Sequence, residues 1–368
     1  RVDRMSHSVN HAMWRHWVAG LVLVALHAVA PPSVGIPMSA TSPMAQAVDK
    51  ADVKPSTQRI GGGTSLEKPA GLDDAEWATL QSAIRKSAVQ QARLSAGSLG
   101  GADGMPNDFF GESVALDGDT VLIGAFGDDV GQNYNQGSAF VFTRSGTSWT
   151  LQAQLTVDDG ADDSEFGYSV ALDGDTALVG AWREDIGGND DQGSAYIFTR
   201  SGETWTQQAK LTAGDGSAND QFGVVVALDG DTAIIGASAD GVGANSRQGS
   251  AYVFARHGTE WVQQAQLVAD DGAANDEFGF AVALEGDTAL VGAWGDDVGG
   301  ITNQGSAYVF VRSGIAWMQQ AHLTANDGAE RDYFGVSVAL SDDTALVGMF
   351  GDDIGGSGTV VHPGRDCP

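Results

Sequence analysis

Large and small apolar residues alternate along short segments of the chain, which is the pattern of β-strands. From Phe278 to Leu284, Phe, Val or Leu occupies every second position and Gly or Ala fills the positions between them. The hairpin signal Glu285-Gly286-Asp287 follows. Further strands are predicted over residues 288–293, 305–310 and 317–324. The pattern therefore predicts a unit of four antiparallel strands.

This unit recurs with a period of 56 residues. A Phe-Gly pair begins each copy, at Phe110-Gly111, Phe166-Gly167, Phe222-Gly223, Phe278-Gly279 and Phe334-Gly335. A period of this length is typical of repeat arrays, and four antiparallel strands per repeat describe a propeller blade. We therefore predict an all-β protein, a β-propeller of about five four-stranded blades, in which these Phe and Gly residues are structural.

The two ends of the repeat array are complementary. Residues 89–96 match residues 262–269 at six of eight positions, so a fourth-strand segment precedes the first unit. The last unit has first and second strands and a degraded third strand at residues 358–361, but no fourth. The N-terminal strand is thus expected to pair with the last blade and close the ring, which would remove an exposed edge. The alternative is an array that is cut short.

The segments outside the repeats have distinct compositions. Residues 1–47 are predicted to be an export segment, because arginines precede an apolar run at residues 17–30 and an A-x-A site stands at residues 45–47. An uncleaved signal anchor is the alternative. Residues 48–71 are predicted to be a linker, 72–88 a short amphipathic helix, 89–362 the propeller and 363–368 a tail. The expected location is secreted, periplasmic or at the cell surface.

The charge of the chain is strongly negative, with 48 Asp and Glu against 19 Lys and Arg and a net charge of −29. This balance argues against nucleic acid and anionic lipid as partners, since both attract basic surfaces. It favours a cationic partner, and a merely solvated acidic surface is the alternative. The single cysteine, Cys367, excludes a disulfide within the chain.

A second motif, Gly-Ala, ends the second strand of the first four units, at Gly124-Ala125, Gly180-Ala181, Gly236-Ala237 and Gly292-Ala293, and the fifth unit has Gly348-Met349 at this place. Together with the Phe-Gly pairs it resembles the FG-GAP repeats of integrin α-subunit propellers and of many exported bacterial proteins. The resemblance implies a propeller that binds partners through the loops between strands 2 and 3 and between successive blades. Such repeats often carry a DxDxDG calcium loop, but here a tight turn such as Asp117-Gly118-Asp119 stands in its place. The sequence therefore identifies no definite cofactor, and Ca²⁺ is the one candidate that stays open.

The strand directions place the loop after the second strand and the loop between blades at the same end of the array, and both loops are acidic. Candidate residues of this ligand face are Asp128, Asp129, Asp185, Asp240, Asp296, Asp297, Asp352, Asp353, Trp182 and Trp294. Candidate metal ligands in the loops between blades are Asp159, Asp215, Asp271 and Asp327. The alternatives are that the acids serve turn geometry and solubility and that the tryptophans anchor their loops.

The sequence favours a binding function over catalysis. The segments around Ser113 and Ser169 lack the final glycine of a nucleophile elbow and lie on a strand. We predict an exported, non-catalytic binding or adhesion module, a monomeric propeller with a protein or glycan ligand and no membrane span beyond a signal anchor. The alternative is a carbohydrate-binding lectin or a glycoside-active propeller enzyme with paired carboxylates. The repeated Gln-Gln pair of the fourth strand is expected to face solvent.

Overall fold

A computed structural model describes Leu94, residues 107–342 and residues 344–351. The predicted export segment, linker, helix and tail lie outside the described residues, as do Asp352 and Asp353.

The strands form four four-stranded antiparallel sheets and one two-stranded sheet, in which neighbouring strands follow chain order. The first strands are β1 (Val114–Asp117), β5 (Val170–Asp173), β9 (Val225–Asp229), β13 (Phe278–Glu285) and β17 (Ser337–Ser341). The second strands are β2 (Thr120–Ala125), β6 (Thr176–Ala181), β10 (Thr232–Ala237), β14 (Thr288–Ala293) and β18 (Thr344–Gly348). The third strands are β3 (Ser138–Ser145), β7 (Ser194–Ser201), β11 (Ser250–His257) and β15 (Ser306–Ser313). The fourth strands are β4 (Ser148–Leu155), β8 (Thr204–Leu211), β12 (Glu260–Leu267) and β16 (Ala316–Leu323). A short 3₁₀ turn, Val298–Gly300, follows β14.

We number these sheets blades 1 to 5 in chain order, blade 5 being the two-stranded sheet of β17 and β18. The first strands of successive blades lie side by side, β1 by β5, β5 by β9, β9 by β13 and β13 by β17. This is the arrangement of a β-propeller, so the predicted all-β fold and its four-stranded blades are confirmed. Closure of the ring by the N-terminal strand stays a prediction, since residues 89–93 and 358–361 lie outside the described residues.

The hydrophobic core lies between blades, where the two faces of neighbouring sheets meet. Leu122 on β2 packs into one cluster with Phe166 and Val179 of blade 2. Leu178 takes the equivalent place between blades 2 and 3, and Ile234 takes it between blades 3 and 4. All of these side chains are fully buried. Each contributes about 1.5–3 kcal/mol by its burial, so neighbouring blades stabilise one another.

The glycines of the two sequence motifs meet at these interfaces. A Cβ atom on Gly180, in the Gly-Ala motif of blade 2, would lie 2.0 Å from the carbonyl oxygen of Gly223, in the Phe-Gly motif of blade 3. Gly223 also has a φ of +95°, which side-chain-bearing residues rarely adopt. The same contact joins Gly124 to Gly167, at 1.9 Å. The recurrent glycines therefore let the backbones of adjacent blades touch.

A bulge in the fourth strand directs one glutamine of each of blades 1 to 3 toward the next blade. The register between β3 and β4 shifts so that Gln152 has no partner residue on β3, and the same shift recurs in blades 2 to 4. The Gln152 amide oxygen accepts a hydrogen bond from the Trp205 indole at 2.8 Å. Trp261 reaches Gln208 in the same way, at 3.0 Å. The prediction that the Gln-Gln pair faces solvent was wrong for Gln208 and Gln264, because the bulge turns each of them into the interface. Gln207 and Gln320 are exposed, as predicted.

Candidate ligand-binding end

The two acidic loop types lie at the same end of the array, as the strand directions predict. The Asp163 N–H donates to the Tyr134 carbonyl at 2.7 Å, and the Glu165 N–H donates to the Asn135 carbonyl at 3.1 Å. Equivalent bonds join the loops of later blades, from Asn219 to Asp190 and from Asn275 to Ser246. We call this the acidic end.

The tight hairpins between first and second strands lie at the opposite end and hold neighbouring blades together. Asp117 accepts a hydrogen bond from the Gly174 N–H of the next hairpin at 2.8 Å. Arg200 pairs with Asp175 in its own blade at 2.6 Å and donates to the Thr120 hydroxyl of the preceding blade at 3.0 Å. In blades 1 to 3 one acid of each hairpin therefore bonds the next blade, and the other pairs with an arginine of its own blade. Among the described residues, no group of three or more His, Cys, Asp or Glu side chains is placed to hold a metal ion.

Blade 2 shows how the acidic loops are attached to the sheet. The Tyr196 hydroxyl donates to Glu184 at 2.8 Å and lies 3.2 Å from Asp159, while the Lys210 ammonium lies 2.7 Å from each carboxylate. The Ser194 hydroxyl is also bonded to Glu184. Partial burial alone would raise the pKa of Asp159, but Lys210 outweighs it and the pKa is lowered. Burial, and then the charge of Glu184, raises the pKa of Tyr196, which keeps its proton and stays a donor.

We call this arrangement the acid–tyrosine cluster. It consists of one Asp from the loop between blades, one acid from the loop after the second strand, a third-strand Tyr and a fourth-strand donor. The cluster recurs in blades 3 and 4. In blade 4, Tyr308 bonds Asp296 at 3.0 Å and Asp271 at 3.1 Å. The fourth-strand donor there is His322, with Nδ1 3.3 Å from Asp271. The blade 3 members are Asp215, Asp240, Tyr252 and Gln266. Sequence reasoning missed the tyrosines and the donors, although both occupy the same position in successive 56-residue repeats.

These clusters separate the predicted acids into buried and exposed sets. Asp128 is 3% exposed and Asp240 is 7% exposed, so neither carboxylate lines an open ligand face. Asp296 is half-buried in its cluster. The predicted metal candidates Asp159, Asp215 and Asp271 are members of the clusters, and Asp327 is an exposed residue of the loop before blade 5.

In blades 1, 2 and 4 a second acid directly follows the acid that bonds the sheet, and it points outward. Asp129 is exposed, and one of its oxygens accepts the Asn135 N–H at 2.8 Å. Asp185 and Asp297 are exposed in the same way and accept the N–H of the residue six positions on. Lysines and arginines at this end are engaged with other acids: Lys210 as above, Arg183 with Glu165, Arg247 with Glu277 and Arg331 with Glu330. The outward carboxylates therefore give this end a negative surface.

The predicted aromatic candidates are held against the blades. Trp182 is half-buried, its indole N–H donates to Glu165 at 2.8 Å, and its ring contacts Tyr168 at a centroid distance of 5.4 Å. Burial raises the pKa of Glu165 even though Arg183 opposes this shift. The half-buried Trp294 ring contacts Phe280 and Tyr333. Both tryptophans thus anchor their loops and offer only part of their rings to a ligand.

An aromatic residue that sequence reasoning missed stands free at the acidic end. The side chain of Tyr134, in the loop after β2, is 59% exposed. Its backbone N–H donates to Asp162 at 2.9 Å, and exposed Asp129 and Asp163 belong to the same pair of loops. The equivalent residues of blades 2 to 4 are Asp190, Ser246 and Thr302, so a break in the repeat pattern was the available signal.

The described residues include no helix that is both long and apolar enough to span a membrane. No curated protein matches the chain. The family model described as FG-GAP repeat matches five times, over residues 89–142, 149–198, 205–254, 261–310 and 317–360. Each of the last four matches begins with a fourth strand and continues into the next blade, so each contains one glycine of the Phe-Gly motif and one of the motif that ends the second strand. Because the matches cover most of the chain, the protein belongs to the FG-GAP repeat family.

Proposed function

We propose that this FG-GAP protein is an exported binding or adhesion module that works without catalysis and takes a cationic protein segment at its acidic end. The observation that carries this proposal is the hydrogen bonding of the two acidic loop types to each other, which gathers their outward carboxylates at one end. FG-GAP repeats by themselves suggest a propeller-type binding or adhesion module.

The junction of blades 1 and 2 offers the best-defined contact point. Tyr134 is exposed there between loops that carry Asp129, Asp158, Asp162 and Asp163, all of them exposed. A lysine or arginine of a partner can pair with a carboxylate while it lies over the tyrosine ring, and each such cation–π contact contributes about 0.5–1 kcal/mol at an exposed site. A ring and several carboxylates together favour a basic peptide over a free metal ion.

The absence of catalysis is supported by the uses that the candidate groups already have. The Ser113 hydroxyl accepts the Val170 N–H of the next blade at 2.9 Å, and Ser169 accepts the Val226 N–H at 3.0 Å. The paired carboxylates of blade 2 share the Tyr196 hydroxyl and the Lys210 ammonium. Export is supported by the apolar run at residues 17–30 and the A-x-A site that follows.

Binding of a lysine-rich peptide by the full chain tests the proposal. Tyr134→Ala is expected to weaken binding several-fold, whereas Ser246→Ala, at the same loop position of blade 3, leaves it unchanged. The double variant Asp129→Asn/Asp185→Asn should weaken binding and its salt dependence, because it removes two outward charges from the acidic end. The control Glu203→Gln/Glu260→Gln removes two exposed charges where third strands turn into fourth strands, at the opposite end.

Equal losses in the two double variants would mean that net charge alone attracts the peptide, and the proposed site would be wrong. Retention of a neutral glycan that competes with the peptide would favour the lectin alternative instead. Turnover of a glycoside by the full chain would contradict the proposal of a non-catalytic module.

A further inference from the structure

Each interface between blades is formed by two different faces, which we call the leading face and the trailing face. The trailing face of blade 1 presents Leu122, and the leading face of blade 2 presents Phe166 and Val170. The next interfaces repeat this pairing, with Leu178 against Val226 and Ile234 against Val282. Hydrogen bonds from Val170 to Ser113 and from Val226 to Ser169 fix the register of the first strands. The chain therefore contains its own template for joining a trailing face to a leading face.

The leading face of blade 1 is left uncovered at its inner part. Val114 is 62% exposed and Leu116 is 63% exposed, whereas Val170, the equivalent of Val114 in blade 2, is 7% exposed. Toward the outer strands, Leu94 packs against the cluster that contains Phe140 and Phe142. Leu155, a fourth-strand residue of blade 1, takes the corresponding place on blade 2. The inner part of the face thus has room for first and second strands and already has a residue at the position of a fourth.

The trailing face of blade 5 is uncovered in the matching region. Leu346 on β18 is 58% exposed, although its equivalents Leu122, Leu178 and Leu290 are fully buried. Ser337 on β17 stands at the position of Ser113, whose hydroxyl bonds the next blade. Blade 5 has two described strands, a first and a second. These are the strands for which the leading face of blade 1 has room.

Terminal repeats of soluble arrays usually carry a polar outer face as a cap. Here the leading face of blade 1 and the trailing face of blade 5 keep the apolar residues of internal interfaces, and Val114, Leu116 and Leu346 on these faces are exposed. From this complementarity we infer that the trailing face of blade 5 docks onto the leading face of blade 1 in a second copy of the chain. In the complex Leu346 of one copy covers Val114 and Leu116 of the next, and the Ser337 hydroxyl accepts the Val114 N–H.

Such an interface joins two unlike surfaces, so each copy has one of each to offer. A contact of this kind extends from copy to copy, or closes into a ring of copies if its rotation allows. The loops of the acidic end contain neither Val114 nor Leu346. Ligand binding at Tyr134 is therefore independent of this association.

Sedimentation velocity of the full chain over a series of micromolar concentrations tests the inference. The expected result is a mass above that of one chain, which rises with concentration. Val114→Lys places a charge on the leading face of blade 1, and Leu346→Lys places one on the trailing face of blade 5. Each variant alone should associate with itself at least about tenfold more weakly than wild type, a change of about 1.4 kcal/mol. Ile315→Lys is the matched control, because Ile315 is an 80% exposed apolar residue in the turn between β15 and β16.

Mixing the two variants gives the sharpest result. Each retains the face that the other lacks, so an equimolar mixture should form a complex of one copy of each and nothing larger. Circular dichroism establishes that both variants fold, and Leu346→Ser replaces Leu346→Lys if the lysine prevents folding. A wild-type chain that keeps the mass of one copy at every concentration would overturn the inference. If the wild-type chain stays a single copy and both lysine variants melt at a lower temperature than it does, the two faces meet within one chain and close a ring there.

Discussion

The contact between the paired glycines makes a quantitative prediction for Gly180→Ala. The new Cβ atom would lie 2.0 Å from the Gly223 carbonyl oxygen, whereas real Cβ contacts begin at 3.0 Å or more. Both groups belong to backbone in the middle of a buried interface, so no side chain can rotate away. Blades 2 and 3 must therefore separate by about 1 Å at this point.

The size of the effect follows from the side chains that flank the contact. Leu178, Phe222 and Ile235 are fully buried between the two blades, and at about 2 kcal/mol each they contribute about 6 kcal/mol. A gap of 0.5–1 Å removes roughly a quarter to a half of the attraction between facing atoms. Gly180→Ala should thus lower the free energy of unfolding by about 2–3 kcal/mol, within the range of overpacked cores.

Urea denaturation followed by tryptophan fluorescence measures this change. Gly241→Ala is the matched control, since the nearest atom to its Cβ would be the Asn245 carbonyl oxygen at 3.9 Å and its φ is not positive. We expect this control to be neutral or stabilising by up to about 1 kcal/mol, because alanine restricts the unfolded chain. A Gly180→Ala variant within about 0.5 kcal/mol of wild type would refute the explanation of the motif glycines as a contact between blades.

Three further predictions concern hydrogen bonds of the array. Lys210→Gln should leave the free energy of unfolding nearly unchanged, because glutamine fills this position in blade 3. Lys210→Ala leaves the buried Glu184 short of a donor and should lower the free energy of unfolding at pH 7 by about 1–3 kcal/mol. Equal losses of stability in the two variants would contradict this explanation. Burial raises the pKa of Asp276 to about 6, so the folded state binds its proton more tightly and this residue's contribution to stability falls as pH rises from about 4 to about 6. Asp276→Asn should remove that fall and stabilise the protein more at pH 7 than at pH 4, and equal effects at both pH values would contradict the assignment. A double-mutant cycle of Trp261→Phe and Gln208→Ala, read by thermal denaturation, should give a coupling of about 1 kcal/mol, and additive effects would mean that the bond contributes nothing.

Neighbouring residues with the same chemistry show where sequence reasoning stops. Asp128 and Asp129 are adjacent and both acidic, yet Asp128 is buried against the Ser138 hydroxyl and Asp129 is exposed. The loop after β2 turns one side chain toward the third and fourth strands and leaves the next in solvent. No local pattern distinguishes the two, because the groups that donate hydrogen bonds to Asp128 belong to residues 10 and 26 positions away. The ligand face therefore had to be reduced to its outward acids and extended to Tyr134.

The sequence by itself determined the repeat, the strands and the end at which the acidic loops meet, since a period of 56 residues and an alternation of large and small side chains depend only on local order. The tertiary structure decided which residues of each repeat meet those of the next. The bulge that aims Gln152 at Trp205, the glycine pair that lets two backbones touch and the exposed faces of blades 1 and 5 all depend on how one sheet lies against another. The Gln152–Trp205 bond and the Gly180–Gly223 contact each join residues more than 40 positions apart. The packing of whole blades, rather than any single segment, brings such residues together.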